Sequence, residues 1–273
     1  DQWFYGNYSW VNDSHHVYSP FVVKPTLFGA PEYRFGQGNS GSLTLPVGLS
    51  YNGAYSAKIN GLFLPCILPA TFQPDSGCVN TGPARVAEDA TFDGTYSYQD
   101  NPPAWVRRFT IQTEDTDTEL LRVALFSADA QTDGDADLDL YLYYCKSLIA
   151  DVCVDLDPEP YVSATPDTTD ELIDVLKPLT GAWVVDVHGY RTADGDPADF
   201  RLYAWAFGSD IAGNNLTLTN VPASAEAGVT NDITASWNKL PQGLWLGGIT
   251  HYGDSGAPLG TTIIEIDSDA FAE

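Results

Sequence analysis

The chain has 273 residues, of which 37 are acidic and 12 basic, for a formal net charge of −25. That charge repels nucleic acid and anionic lipid, and no apolar run approaches the ~18 residues a membrane-spanning helix needs, so neither nucleic-acid binding nor membrane insertion is expected. A content of 44% hydrophobic and 12% aromatic residues is far from that of a disordered chain and suffices for two or three packed β domains. Methionine is absent even at position 1, which implies a start not set by translation initiation and a missing N-terminal part. The acidity suits cation binding, solubility in salty surroundings or an extracellular life.

Period-2 alternation of apolar and polar residues, broken by Gly, Pro, Asn and Asp, recurs from end to end and predicts an all-β protein. The first 23 residues form an N-terminal segment whose strand, Val17 to Val23, looks unpaired. Residues 24–86 hold about three strands up to Leu64. The clearest is Ser42 to Ser50, with Leu43, Leu45, Val47 and Leu49 on one face; a loop rich in proline follows. Residues 87–208 carry roughly eight strands, the count of a jelly roll. Among them, Leu121, Val123 and Leu125 face a core on one side, and Leu138, Leu140 and Leu142 face inward against Asp137, Asp139, Tyr141 and Tyr143 on a half-exposed face. Trp183, Val185 and Val187 share one face, as do Phe200, Leu202, Ala204 and Ala206. Asp170 to Lys177 reads as a strand with Leu172, Asp174 and Leu176 inward.

Residues 209–273 supply only about four strands, too few for a sandwich. Three strands before the jelly roll and four after it make an immunoglobulin or fibronectin-like count. A split domain is therefore expected, with a jelly-roll-like β-sandwich inserted in or adjacent to an immunoglobulin/fibronectin-like β-sandwich.

The four cysteines fall in two close pairs, Cys66 with Cys78 and Cys145 with Cys153. Two local disulfides are the expectation, and with them an exported protein; free buried thiols in a cytosolic protein are the alternative. Neither spacing is that of a zinc ribbon or a redox motif.

Three features carry possible chemistry. Gly253 to Pro258 reads Gly-Asp-Ser-Gly-Ala-Pro, like the nucleophile loop of trypsin-like proteases, and would make Ser255 a nucleophile. A nucleophilic serine also needs a histidine base and an orienting carboxylate, and His15, His16, His188 and His251 lie in none of the expected contexts; a hairpin turn explains the motif as well. The run Asp133, Asp135, Asp137, Asp139 brings alternating carboxylates together, a pattern suited to a hard cation such as calcium, although it is not an EF-hand loop. Exposed rings, Tyr141 and Tyr143 foremost, with Tyr144, Tyr190, Tyr203, Trp205 and Trp245, offer stacking surfaces for a polymer.

The run from Thr132 to Tyr143, then Gly181 to Tyr190 and Phe200 to Trp205, resembles the pre-peptidase C-terminal type of domain. Trp10 to Pro25 is similar to the end of the fibronectin-like domain that follows the catalytic domain of subtilisin-like proteases, and residues 215–266 look like the terminal β domain of large bacterial members. The resemblance implies a secreted, extracellular region lying downstream of a subtilase catalytic domain. The family's catalytic motifs are absent from this chain, so no catalytic residue carries over. Domains of this type are thought to assist secretion, hold insoluble polymers near the protease or bind calcium. A structural alternative stands beside this one. Val17, Tyr18, Phe21 and Val22 lie on a strand that can be donated to a neighbour's sheet edge, joining copies into an extracellular fibre.

Overall fold

The computed structural model describes residues 3–24, 26–68, 83–91, 96–113, 118–130, 136–149, 152–208 and 215–269. Its secondary structure is β throughout, apart from two single 3-10 turns at Ser127–Asp129 and Ala193–Gly195.

The chain opens with β1 (Phe4–Val11) and β2 (His16–Val23), then enters a sandwich through β3 (Phe28–Gly29), β4 (Tyr33–Gln37), β5 (Gly41–Leu49), β6 (Gly53–Ala54) and β7 (Ser56–Phe63). A second sandwich follows. It comprises β8 (Cys66–Leu68), β9 (Ala84–Val86), β10 (Val106–Thr113), β11 (Thr118–Leu125), β12 (Asp137–Ile149), β13 (Val152–Leu156), β14 (Tyr161–Ser163), β15 (Glu171–Leu176), β16 (Gly181–Arg191), β17 (Ala198–Phe200) and β18 (Leu202–Gly208). The chain then returns to the first sandwich with β19 (Leu216–Thr219), β20 (Ser224–Ala225), β21 (Val229–Trp237), β22 (Leu244–Tyr252) and β23 (Pro258–Asp267).

The inserted sandwich has nested pairing. β8 pairs with β18, β10 with β16, β11 with β15, and β12 with β13 and β14. A long antiparallel hairpin rolled on itself gives this order, which is that of a jelly roll. Sheet I has the order β10-β16-β12-β13, with β14 also on β12, and sheet II the order β15-β11-β18-β8. Between them lie Ile111, Leu121, Val123, Leu138, Leu140, Leu142, Trp183, Val185, Val187 and Phe200. Each such side chain contributes about 1.5–3 kcal/mol by leaving water.

The outer sandwich interleaves strands from both ends of the chain. Sheet III runs β4-β23-β22-β7 and sheet IV runs β19-β21-β5-β3, four strands before the insertion and four after it. Its core joins Leu45, Val47, Leu49 and Leu62 to Ile233, Trp237, Ile249, Ile264 and Ile266. β4 lies parallel to β23, unlike its neighbours. Trp237 rests on Gly41, where an added Cβ would stand 2.5 Å from the ring.

Three sequence expectations are corrected here. Cys66–Leu68 and Ala84–Val86, placed with residues 24–86, join the jelly roll, since β8 pairs with β18 and Leu68, Ala84 and Val86 enter its core. β11 is buried on both faces. Leu121 and Val123 face sheet I, while Leu120 and Ala124 pack with Phe207 of β18 and with Leu246 and Ile263 from the other sandwich. β15 is a strand, but Glu171, Ile173 and Val175 point inward and Leu172, Asp174 and Leu176 outward. A one-residue phase difference exchanges the two faces of a strand.

The four sheets therefore stack in the order I, II, III, IV. At the junction of II and III, the Arg122 guanidinium on β11 hydrogen-bonds Asp174 of β15 at 2.6 and 2.7 Å and Glu265 of β23. These contacts set β11 over β23. β18 lies over β22 and β7, and β15 contacts β14. The terminal strands β14, β15, β4 and β3 consequently line one flank of the stack.

Candidate functional site

The outer face of sheet I carries the acidic and tyrosine-rich alternation. Asp137, Asp139, Tyr141, Tyr143 and Cys145 lie on it, opposite Arg191, His188, Asp186, Val184 and Ala182 of β16. This face is not half-exposed: Tyr141 is 8% and Tyr143 3% accessible. The segment before β10 lies over it, with Tyr96 stacked 4.1 Å from Tyr141 and Tyr98 edge-on to Tyr143 at 5.4 Å. Tyr141 and Tyr143 are thus removed from any surface-binding role, Trp205 and Trp245 are also buried, and Tyr203 is half-buried. Burial, and then nearby carboxylates, push the Tyr96 and Tyr141 phenols upward.

Beneath this cover lies a polar network. Asp186 receives two bonds from Arg108, at 2.6 and 2.7 Å, and one from the Tyr96 hydroxyl at 2.6 Å. His188 sits between Asp139 on Nδ1 (3.1 Å) and Asp89 on Nε2 (3.2 Å). Burial alone would raise the Asp89 carboxyl, but hydrogen bonds from His188 and Thr91 hold it below the usual range. The groups saturate one another, as buried charges must.

Of the four aspartates, Asp133 and Asp135 lie outside the described residues. Asp137 is buried; one carboxylate oxygen accepts the Asp167 amide at 2.9 Å, and the other has no hydrogen-bond partner among the described residues. Burial first, and then Asp139 and Asp167, raise its pKa. Asp139 is turned toward His188. Among the described residues no group of three or more His, Cys, Asp or Glu stands ready to hold a metal.

Ser255 lies in the exposed turn between β22 and β23, where its hydroxyl meets the Ala257 amide at 3.3 Å. His251 belongs to the interior instead. Its Nδ1 bonds the Tyr55 hydroxyl at 2.7 Å and its Nε2 the Thr262 hydroxyl at 3.1 Å, and burial pushes its pKa down to about 4. Asp254 accepts the Ala54 amide. The turn carries no assembled nucleophile and base, so this geometry lends a hydrolase no support.

Cys145 and Cys153 form a disulfide across β12 and β13, with their Cα atoms 5.8 Å apart. Cys66 is disulfide-bonded, and its expected partner, Cys78, lies outside the described residues.

The most exposed apolar surface is at the start of the chain. Val17 to Val23 is not an unpaired strand: β2 pairs with β1 along its whole length, Phe4 opposite Val23 and Val11 opposite His16. An Asx turn closes the hairpin, with the Asn12 carboxamide accepting the amides of Ser14 (2.9 Å) and His15 (2.7 Å). That turn chemistry is readable at Asn12-Asp13-Ser14-His15 and marks the hairpin in the sequence. Among the described residues the two strands pair only with each other. Phe4, Tyr8, Trp10, Val17, Phe21 and Val23 share one face and Tyr5, Val11, Tyr18 and Val22 the other, since directly paired residues point the same way. All ten are exposed, Trp10 at 64% and Tyr5 at 78%. Phe21 folds over Gly6 and so covers part of its own ribbon.

A second feature is a cleft of about 370 Å³ at one end of the jelly roll, where Tyr144, Tyr161 and Trp183 stand beside Asp157, Glu159 and Lys177. Trp183 meets Tyr144 edge-on at 5.2 Å and Tyr161 at 6.1 Å.

No helix among the described residues is long and apolar enough to cross a membrane. Compared with family models, with curated proteins and with solved structures, the chain matches none.

Proposed function

We propose that this chain is a structural subunit of an extracellular fibre, in which the β1–β2 ribbon of one copy adds to a sheet edge of another. The supporting observation is the ribbon itself. Among the described residues it pairs with no other strand and exposes large apolar side chains on both faces, whereas each of the four stacked sheets has at least one face covered. A two-stranded ribbon alone is marginal in water, so its stable home is a third strand on another sheet. The disulfide fits an oxidising, extracellular setting. Electron microscopy and sedimentation of the purified chain test the reading: filaments or concentration-dependent oligomers are expected, and monodisperse monomers at high concentration would end it.

A second reading, an accessory region of a secreted subtilisin-like protease that holds a polymer, draws on the cleft between Tyr144, Tyr161 and Trp183, where ring faces meet carboxylates. Its test is co-sedimentation with collagen or chitin, lost on Tyr161→Ala. Under either reading calcium is proposed at Asp137, whose unpaired buried oxygen would be relieved by a divalent ion.

A further inference from the structure

If the ribbon is the joining element, something on the neighbouring copy must receive it. The large exposed apolar side chains outside the ribbon are not scattered. Among the described residues, eight of the fourteen lie on β4, β13, β14 and β15, with Leu27 next to β3; Ile149 and Leu179 lie at strand ends of the jelly roll, and Leu64, Tyr190 and Val229 elsewhere. At the centre of the flank lined by β14, β15, β4 and β3 the junction between sheets II and III is left open. On β4, Phe35 lies opposite Glu265 and Tyr33 opposite Ile263, so both rings face sheet II. On β15, Leu172 and Leu176 share the face of Asp174, which turns toward sheet III to meet Arg122. Tyr33, Phe35, Leu172 and Leu176 thus form two apolar lips over the Arg122, Asp174 and Glu265 network. Phe35 is 43%, Leu172 45% and Leu176 60% accessible. β4 and β15 are both terminal strands whose outer edges no strand among the described residues takes up; the Leu172 amide of β15 already donates to the Ser163 hydroxyl at 3.2 Å, so β4 offers the freer edge.

We propose that the ribbon of a second copy of this chain seats in this margin, adding to a free edge there and closing the inter-sandwich core from outside. The proposal rests on the fibre reading above and names its acceptor. Size is the first argument. With seven aromatic and four valine side chains about half exposed, residues 3–23 present on the order of 900 Å² of apolar surface, above the ~300–600 Å² of a typical monomer's largest patch and close to the ~800 Å² each partner gives a standard interface. Charge is the second. Copies bearing −25 repel one another. Residues 3–24 carry one acidic residue, Asp13, balanced by Lys24, so the ribbon is a locally neutral surface that adds nothing to that repulsion where it meets another copy. Donor and acceptor are different surfaces, which makes the contact head-to-tail and open to extension.

Two blocked variants of the full chain test the assignment by sedimentation velocity. In the donor-blocked chain, Trp10→Asp and Phe21→Asp charge the ring-bearing face of the ribbon; in the acceptor-blocked chain, Phe35→Asp and Leu172→Asp charge the lips. Each alone is expected to stay monomeric, while an equimolar mixture gives dimers of one each that grow no further. An acceptor-blocked chain that assembles like the parent overturns the margin as the acceptor while leaving the ribbon's role intact, and ribbon-to-ribbon pairing would show itself in that way. A parent chain that never assembles removes the underlying reading instead. Leu176→Lys repeats the acceptor test at a more exposed position, and melting curves confirm that each variant is folded.

Discussion

Strands β1 and β12 alternate alike and come to rest in opposite surroundings. Both carry rings on one face, Tyr8 and Trp10 on β1, Tyr141 and Tyr143 on β12. On β12 the rings are covered by Tyr96 and Tyr98 and form part of a core. On β1 they stay exposed among the described residues, Tyr8 at 50% and Trp10 at 64%. An aromatic ladder is therefore neither a core element nor a binding surface by its own pattern. A third layer decides which, and in the proposed fibre the ribbon takes that layer from a second copy.

Substitutions on the two strands should separate accordingly. Tyr143→Ala, opening space under the cover, is expected to cost about 3–5 kcal/mol in denaturant unfolding. Asp186→Ala belongs to the same class, since it leaves the buried Arg108 guanidinium without its carboxylate, a loss of about 3–5 kcal/mol. Equal and small effects at Tyr143 and Trp10 would break the comparison. Replacing Cys145 and Cys153 together by serine releases a short loop and should lower stability by about 2–3 kcal/mol without altering assembly, because β12 and β13 also pair through the backbone.

The pH response sharpens the contrast. His251 has a folded pKa of about 4 against an ordinary 6.5, so between these values the unfolded chain binds more protons than the folded one. Its contribution is present above pH 6.5 and is lost as pH falls toward 4. The melting temperature of a His251→Gln chain should consequently change less over that window than the parent's. Asp137 runs the other way. Its raised pKa means that the folded state favours the protonated form, so in chelator Asp137→Asn should stabilise the chain near neutrality, by less as pH drops. With calcium added, a rise in the parent's melting temperature that Asp137→Asn abolishes would support an ion there; no rise would remove it. The smallest expected effect on stability is at Trp10. Trp10→Ser should change unfolding by no more than about 0.5 kcal/mol, and only association should suffer.

The strand alternation made the class of fold legible, and the poverty of strands in residues 209–273 pointed to pieces on both sides of an insertion. The inward sets Leu138, Leu140, Leu142 and Trp183, Val185, Val187 were visible because sheet I packs one face on an apolar core. Burial of the opposite face was not visible. It depends on Tyr96 and Tyr98, which arrive from a loop without strand periodicity, and on Arg108 and Asp186 neutralising each other across β10 and β16. β11 did carry a signal of burial on both sides: Leu120 and Ala124 interrupt its polar face, leaving Arg122 as the one charge inside an apolar run. The margin at β4 and β15 was hidden more deeply, since it forms only when sheets II and III are stacked, and the phase of β15 had to be known to the residue.

Association of the intact chain tests the central claim most directly. Sedimentation velocity across a concentration series, for the parent chain and for Trp10→Asp with Phe21→Asp, should show oligomers for the parent that grow as added salt screens the repulsion between acidic copies, and monomers for the variant throughout. A parent chain that remains monomeric at every concentration and salt, or a variant that associates as well as the parent, would contradict the account.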